Sequence, residues 1–287
     1  MWNIKRFTEK LHTDGCVMAL GGFDGAHVGH KTLFARAKAY GLPVGVMTIA
    51  GGKGCPLFTV EERRNAFARL GLDFALELDF DEIREMTAND FARRLAKETS
   101  SVAFLCGEDF RFGYLAQGTP ETLKVYTGLP VERVELVKVD GEKVSATKVK
   151  NLLSAGDTAG ANALLGEPFF LLGNVEKDRG VGKSLGFPTA NVRYPKGKFP
   201  LKTGVYETRV EMDGKAYSAV TNFGARPTFS DESVWTETHL IGFDGDLYGR
   251  EIRVEFLRYL RPIEKFDGVE QLKEQLHFDV DRVKKGE

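Results

Sequence analysis

The first half of the chain alternates between short apolar runs and amphipathic segments. The apolar runs, typical of strands buried on both faces of a sheet, are 16–20, 44–49, 74–78 and 102–106. Between them the pattern predicts helices over 31–40, 59–70 and 88–97, and Thr59 with Glu62 forms a capping-box pattern at the start of the second helix. Strands that alternate with helices predict a parallel sheet covered on both faces, with ligands bound beyond the carboxyl ends of its strands.

The second half changes to strands and turns. The segments 205–212 and 217–223 flank Asp213-Gly214, a strong signal for a two-residue hairpin turn. Further strands are expected at 236–243 and 252–260, which together favour an antiparallel barrel or sandwich. The chain closes with one helical stripe of apolar residues: Val269, Leu272, Leu276, Val280 and Val283. We therefore predict two domains, an α/β domain over 1–160 and a β-barrel domain with a C-terminal helix over 161–287.

The composition and charge of the chain exclude several classes of function. The chain has 287 residues, 42% of them apolar and 28% charged, which is typical of a globular protein. The formal net charge of −1 lacks the basic surplus that nucleic-acid or anionic-membrane partners require, so we expect neither partner. No apolar run is long enough to span a bilayer, the N-terminal segment lacks a signal-peptide core, and the 3 cysteines are odd in number. These features predict a reduced, cytoplasmic protein.

A glycine-rich turn follows the first apolar run and reads GGFDGAHVGH over 21–30. Glycines allow a backbone to approach a ligand closely, and the start of the next helix offers free N–H groups to a phosphate. Two histidines, His27 and His30, bracket Gly29 and could donate hydrogen bonds to the same phosphate oxygens. The alternative interpretation is an ordinary glycine turn with two incidental histidines.

This segment resembles the HxGH signature of the nucleotidyltransferase superfamily, and the longer string is similar to that of bacterial bifunctional riboflavin kinase/FAD synthetases. The resemblance implies a Rossmann-like domain that adenylylates FMN to FAD and releases pyrophosphate. It also implies that His27 and His30 are catalytic and stabilise charge on the phosphates of ATP. The implied ATP-binding residues in the same turn are Gly22, Phe23, Asp24 and Gly29.

Two further segments of the first half resemble the same family. The loop GEDFRFG at 107–113 follows an apolar run and implies a flavin site formed by Asp109, Phe110 and Phe112. The alternative interpretation, less favoured even without the other motifs, is a polar loop with two packed phenylalanines. The segment SATKVK at 145–150 opens a helix whose hydroxyls can cap N–H groups or bind a phosphate. It resembles the SSTxxR segment of the family, which implies ATP binding by Ser145, Thr147 and Lys150.

In the second half, the segment GVGKSLGFPTAN at 180–191 has the composition of an anion-binding loop. Its glycines give a flexible backbone and Lys183 supplies a positive charge. Thr189 and Asn191 lie two residues apart on an extended segment, so their oxygens can point to one side and suit Mg²⁺. From the residues alone, a structural turn is as good an interpretation as a site.

This segment resembles the PTAN loop of riboflavin kinases, and four later segments agree with that family in order: 221–229, 237–244, 247–249 and 261–266. The resemblance implies an antiparallel β-barrel that phosphorylates riboflavin to FMN. ATP would bind at Gly182, Lys183 and Gly186. Thr189 and Asn191 would hold Mg²⁺, and Glu237 would be the catalytic base for the hydroxyl of riboflavin.

Some positions depart from the family pattern and leave three hypotheses open. The segment 48–53 lacks the Phe-x-Pro-His-Pro loop of the family, Ala146 replaces a serine, and Lys150 replaces an arginine. Lysine keeps the positive charge but lacks the planar guanidinium that binds a phosphate through two hydrogen bonds. The chain is accordingly a bifunctional enzyme, a monofunctional riboflavin kinase with a vestigial first half, or a flavin- or nucleotide-binding module without turnover. In each case the expected ligands are small molecules: riboflavin, FMN and ATP.

Overall fold

The computed structural model describes residues 3–7, 15–51, 54–135, 137–139, 141–177, 182, 185–225 and 233–286. The chain divides into two compact units, Met1–Ala146 and Thr147–Glu287. The expected domain boundary at 160/161 stays a prediction. Among the described residues, no helix combines the length and the apolar character needed to cross a bilayer.

The first unit is a sheet flanked by helices. Its strands are β1 (Asn3–Arg6), β2 (Cys16–Leu20), β3 (Val44–Ala50), β4 (Phe74–Asp79), β5 (Ser101–Gly107) and β6 (Val131–Val134), with a small hairpin of β7 (Lys138–Val139) and β8 (Glu142–Lys143). Its helices are α1 (Val28–Lys38), α2 (Val60–Arg69), α3 (Phe80–Ile83), α4 (Ala88–Thr99) and α5 (Pro120–Thr127). In the described part, the strand order is β1-β4-β3-β2-β5-β6, and all neighbours are parallel except the antiparallel pair β1–β4.

Both faces of this sheet are buried, as the apolar runs predict. Along β2, Cys16, Met18 and Leu20 belong to one core cluster. Val17 and Ala19 belong to the cluster on the other face. Helix α2 begins as predicted, because the Thr59 side chain accepts a hydrogen bond from Glu62 N while the Glu62 carboxylate accepts one from Thr59 N. The α/β class predicted for the first half is confirmed.

The second unit is an antiparallel sheet that curls into a nearly closed barrel. Its strands are β9 (Phe169–Asn174), β10 (Ala190–Arg193), β11 (Gly204–Met212), β12 (Lys215–Ala225), β13 (Val234–Leu240) and β14 (Glu251–Arg261). Its helices are α6 (Ala146–Ala155, which starts at the last residue of the first unit), α7 (Thr158–Leu165) and α8 (Val269–Lys285). The described strands run in the order β10-β13-β12-β11-β14-β9. The two ends of the sheet meet where Glu176 N donates to Asn191 O at 2.8 Å.

Aromatic rings fill the interior of the barrel, and α8 covers part of its outer surface. Tyr206 packs edge-on against Phe256 with ring centroids 5.3 Å apart. The apolar stripe of α8 buries Val280 and Val283 against Phe187 and the strand residues Val205 and Val220. The turn between β11 and β12 has positive φ at Asp213 (49°) and Gly214 (73°), as the predicted two-residue hairpin requires. The predicted β-barrel with a C-terminal helix is confirmed.

Candidate functional site

The first candidate site lies where the order of the parallel strands reverses. Strands β2 and β5 are neighbours in the middle of the sheet, and the chain leaves β2 toward β3 on one side and β5 toward β6 on the other. The loops after β2 and β5 therefore diverge, which opens a crevice at their carboxyl ends. The crevice is a cleft of about 860 Å³ lined by residues of both loops, including Gly22, Asp24, His27 and Asp109.

The turn that enters this cleft has an unusual backbone. Phe23 (φ 44°) and Ala26 (φ 42°) both adopt left-handed conformations, which non-glycine residues adopt only at a cost. The Phe23 ring packs edge-on against His30, with centroids 4.8 Å apart, and at a tilt of 51° against Phe34, with centroids 5.0 Å apart. Asp24 Oδ1 accepts a hydrogen bond of 2.7 Å from Leu57 N. Ring packing and this carboxylate thus hold the strained turn in place.

His27 and His30 face each other at the start of α1. Their rings stack with centroids 3.6 Å apart and an interplanar angle of 17°. The Nδ1 atoms of both are buried and have no hydrogen-bond partner among the described residues. A Cβ at Gly29 would lie 3.2 Å from His27 Nδ1, so a larger residue at this position would crowd the His27 ring. Buried polar atoms without partners cost free energy, which indicates a ligand with oxygens at this place.

Burial also keeps both imidazoles neutral. Desolvation lowers the pKa of His27 from 6.5 to about 4, and Asp24 opposes that shift only partly. Desolvation, with a smaller effect from the neighbouring His27, lowers the pKa of His30 well below 6.5. A polyphosphate in the cleft would supply the negative charge that favours a proton on this pair. The arrangement can therefore donate hydrogen bonds to phosphate oxygens at neutral pH.

The predicted flavin-site residues lie on the β5 side of the same cleft. Asp109 is 58% exposed and forms an ion pair with Lys143. The rings of Phe110 and Phe112 are stacked 5.7 Å apart, and Phe112 also packs against Phe91. Phe112 is buried and belongs to the core cluster, so it has a packing role whatever it binds.

The segment predicted to bind ATP at the start of α6 is divided between the two units. Ser145 lines the cleft of the first unit. Thr147 and Lys150 belong to the second unit, in which the Lys150 ammonium lies 5.7 Å from the centre of the Phe199 ring. Their assignment to ATP stays a prediction.

The second candidate site is a polar row across the barrel. Asn191 on β10 is the register partner of Glu237 on β13, and Glu237 is in turn the partner of Asn222 on β12. Directly opposite residues share a face of the sheet with Cβ atoms about 4.5–5.5 Å apart. Asn222 Nδ2 lies 3.5 Å from Glu237 Oε2. The row lies on the outer face, because Val220, two residues from Asn222, packs toward α8.

Thr189 precedes Asn191 by two residues and reaches the same side of the chain. Asn191 Nδ2 donates to Thr189 O at 3.4 Å. Both residues line a cleft of about 440 Å³, which is closed on the other side by the segment Phe243 to Tyr248. The structure therefore joins Asn191 to Glu237 by strand register and to Thr189 by a hydrogen bond.

The glycine-rich loop is described only in part. Lys183 lies outside the described residues. Gly182 O accepts hydrogen bonds from Leu185 N and Phe187 N, at 3.1 and 2.8 Å. A Cβ at Gly182 would lie 2.5 Å from Phe187 O and 3.3 Å from Thr189 Oγ1, so this position admits only glycine without a shift. Gly186 has a φ of 87°, which glycine adopts without strain.

Several residues around the two sites were not predicted from the sequence. In the first unit, buried Arg63 donates from Nη1 to Thr48 Oγ1 at 2.6 Å and to Ile49 O at 3.2 Å, which anchors the end of β3. Lys143 pairs with Asp109. In the second unit, His239 contacts Pro188 O through Nδ1 at 2.9 Å. No local pattern marks Arg63 or Lys143, whereas His239 lies inside a segment that already resembled riboflavin kinases.

The fold and the two clefts define a class: a two-domain transferase, with a parallel α/β unit followed by an antiparallel barrel. The riboflavin kinase family model matches residues 165–286, and the FAD synthetase family model matches residues 9–148. A bifunctional riboflavin kinase/FMN adenylyltransferase of Pseudomonas fluorescens is 37% identical over 93% of this chain and 91% of its own. The protein of the same description from Bacillus subtilis (strain 168) is 31% identical over 92% of this chain and 90% of its own. The chain belongs to the bifunctional riboflavin kinase/FMN adenylyltransferase family.

A solved structure shares the whole architecture. The crystal structure titled as a macrolide-efflux protein from Streptococcus pneumoniae superposes with a TM-score of 0.84 at 29% identity, covering 98% of this chain and 97% of that one. We take the fold from this likeness and not the activity in its title, because both family models and the curated relatives agree on a different activity.

Proposed function

We propose that the second unit transfers the γ-phosphoryl group of ATP to riboflavin, giving FMN, and that the first unit transfers the adenylyl group of ATP to FMN, giving FAD and pyrophosphate. The observation that carries the proposal is the register pairing of Asn191 with Glu237, which joins the two halves of the kinase site predicted from distant segments. Family membership supports both activities and the substrates riboflavin, FMN and ATP.

In the kinase reaction, Glu237 is the base. Its carboxylate accepts the proton of the terminal ribityl hydroxyl while the hydroxyl oxygen bonds to the γ-phosphorus and ADP leaves. The contact from Asn222 Nδ2 at 3.5 Å and the pairing with Asn191 orient the carboxylate on the outer face of the barrel. The neighbouring cleft of about 440 Å³, which Thr189 and Asn191 line, would take the nucleotide.

Mg²⁺ fits the chemistry of this donor set. Asn191 Nδ2 donates to Thr189 O, so the oxygen of the amide is the atom suited to bind a cation, together with the Thr189 hydroxyl. Two neutral oxygens match a hard ion that binds mainly to substrate phosphates and water. When bound, the ion would neutralise charge on the phosphates.

In the adenylyl transfer, FMN supplies the nucleophile. An oxygen of its phosphate bonds to the α-phosphorus of ATP as pyrophosphate leaves, so no protein nucleophile is needed. The catalytic contribution of the chain is positioning and charge stabilisation. His27 and His30 offer buried Nδ1 atoms that have no hydrogen-bond partner among the described residues, and Gly29 at the start of α1 lines the same cleft. Gly22, Phe23, Asp24 and Gly29 shape the phosphate turn, while Asp109 and Phe110 face the flavin.

A product profile tests both activities at once. Purified protein with riboflavin, ATP and Mg²⁺ should give FMN first and then FAD, separated by chromatography. Glu237→Gln should abolish FMN formation and leave the conversion of added FMN to FAD unchanged. His27→Ala should do the reverse. Formation of FMN without FAD, even from added FMN, would support the hypothesis of a monofunctional kinase. Ligand binding without ATP consumption would support the hypothesis of a binding module.

The free cysteines Cys16, Cys55 and Cys106 support a reducing cytoplasm as the location of the protein.

A further inference from the structure

Two consecutive backbone carbonyls, those of Pro188 and Thr189, each contact a polar side chain. The carbonyl of Pro188 is 2.9 Å from His239 Nδ1. The carbonyl of Thr189 accepts from Asn191 Nδ2 at 3.4 Å. A carbonyl oxygen can only accept, so the hydrogen of the His239 ring must be on Nδ1. Pro188 has no N–H, which makes this carbonyl its sole backbone hydrogen-bonding group.

The position of His239 ties the Pro188 carbonyl to the strand that carries the base. His239 follows Glu237 by two residues on β13, so both side chains stand on the same face of the sheet. The imidazole is oriented by Phe187, whose ring is edge-on to it at 5.2 Å. Phe187 also contacts His277 of α8 edge-on, with ring centroids 4.8 Å apart. Phe187 itself is buried, at 6% exposure, which fixes the start of the Phe187-Pro188-Thr189 segment.

We propose that His239 is a positioning residue of the kinase site. Through its Nδ1–H bond to Pro188 O, it keeps Thr189 aligned with Glu237, and it does so without touching the substrate. The inference rests on the proposed kinase function and extends it, because it assigns the alignment of the metal-side residues to one hydrogen bond from the strand of the base. His277 shares the contact with Phe187 but donates no hydrogen bond to the segment among the described residues.

Substitutions at His239 separate the hydrogen bond from the ring contact. His239→Phe keeps an aromatic ring against Phe187 and removes the donor. His239→Asn removes the ring but places an amide N–H close to the position of Nδ1. His277→Phe is the matched control, because it alters the second imidazole that contacts Phe187. Each variant is assayed in the full chain for riboflavin phosphorylation, with kcat and the KM for ATP measured at a fixed excess of Mg²⁺.

We expect His239→Phe to raise the KM for ATP or lower kcat so that kcat/KM falls about tenfold or more, as the loss of an aligning hydrogen bond predicts. His239→Asn should recover most of that loss, and His277→Phe should stay within about threefold of the unchanged chain. FAD formation from added FMN should be equal in all variants, which shows that the first unit is intact, and an unchanged urea-unfolding transition of the second unit shows that the barrel is folded.

Three outcomes contradict the inference while leaving the kinase function intact. The first is an unchanged kcat/KM in His239→Phe, and the second is a loss in His239→Asn as large as that in His239→Phe. The third is a loss of equal size in His277→Phe, since ring packing would then explain the effect. If His239→Phe is poorly folded, the comparison of His239→Asn with His239→Gln decides, because glutamine places its amide near Nε2 rather than Nδ1. Absence of phosphorylation in the unsubstituted chain would instead overturn the proposed function.

Discussion

The buried histidine pair should make the first unit sensitive to acid. In the unfolded chain a histidine titrates near its ordinary pKa of 6.5, whereas burial lowers the pKa of His27 to about 4 and that of His30 well below 6.5. As the pH falls, the unfolded state therefore binds protons before the folded state does. The contribution of the neutral histidine pair to the free energy of unfolding is therefore fully present above about pH 6.5 and is progressively lost as the pH falls toward 4.

The size of the effect follows from proton linkage. Between pH 7 and pH 5, the shift of His27 alone lowers the free energy of unfolding by about 2 kcal/mol, and the lowered pKa of His30 adds a loss of the same sign. The side chain of His27 is only 7% exposed, so solvent screening reduces this effect little. The pair should therefore account for a loss of at least about 2 kcal/mol over these two pH units, a sizeable part of the stability of an ordinary domain.

The measurement compares the unsubstituted chain with His27→Gln/His30→Gln, in which neither position titrates. Urea unfolding is followed by circular dichroism at pH 7 and pH 5, and hydrogen exchange of α1 assigns the transition that belongs to the first unit. Carboxylates also titrate in this range, so the informative quantity is the difference between the two proteins. The double variant should lose at least about 2 kcal/mol less on acidification. His277→Gln, at an exposed site, is the control. Equal losses in both proteins would refute the reasoning.

Three further predictions concern single side chains. Gly182→Ala should reduce FMN formation severely and spare FAD formation from FMN, because its Cβ would lie 2.5 Å from Phe187 O; Gly268→Ala, with open space around the Cβ, is the control. Asp279→Ala should lower the free energy of unfolding of the second unit by about 3–5 kcal/mol, since the fully buried carboxylate accepts a hydrogen bond from Arg261 Nη2 at 2.7 Å. The double variant Arg261→Met/Asp279→Leu should recover most of this lost stability. A negligible loss of stability in urea unfolding of Asp279→Ala would contradict the prediction. Asp109→Ala should raise the KM for FMN without a shift of Tm, because its ion pair with Lys143 is exposed on both sides; a lower Tm with an unchanged KM would oppose the flavin assignment.

The sequence was most informative where burial or turn chemistry is local. The apolar runs gave the central strands because these are buried on both faces, and Thr59 gave the start of α2 because a capping box is a four-residue pattern. The edge strands β1 and β6 were not predicted. They are short and, being at the edges, mix polar with apolar residues, as in the sequence VERV of β6.

The sites were predictable as lists of residues but not as arrangements. The glycine-rich turn and the PTAN-like segment are visible locally, since each combines a backbone requirement with a few polar groups. The pairing of Asn191 with Glu237 depends on the register of β10 against β13, which long-range packing sets. Lys143 and Arg63 are ordinary charged residues in the sequence, and only the folded chain shows their contacts with Asp109 and Thr48.

The same desolvation that makes the histidine pair costly in acid should couple ATP binding to a proton. Anionic phosphates against the stacked rings raise the pKa of the pair, so binding to the first unit should be accompanied by proton uptake at neutral pH. With centroids 3.6 Å apart, the rings cannot both hold a charge, which limits the uptake to at most about one proton per ATP. Calorimetry in buffers of different ionisation enthalpy measures this uptake. Because ATP itself titrates in this range and the second unit also binds it, the signal is the difference between the unsubstituted chain and His27→Gln/His30→Gln. That difference should grow from pH 8 to pH 6, and equal uptake by the two proteins throughout this range would show that the imidazoles stay neutral in the complex.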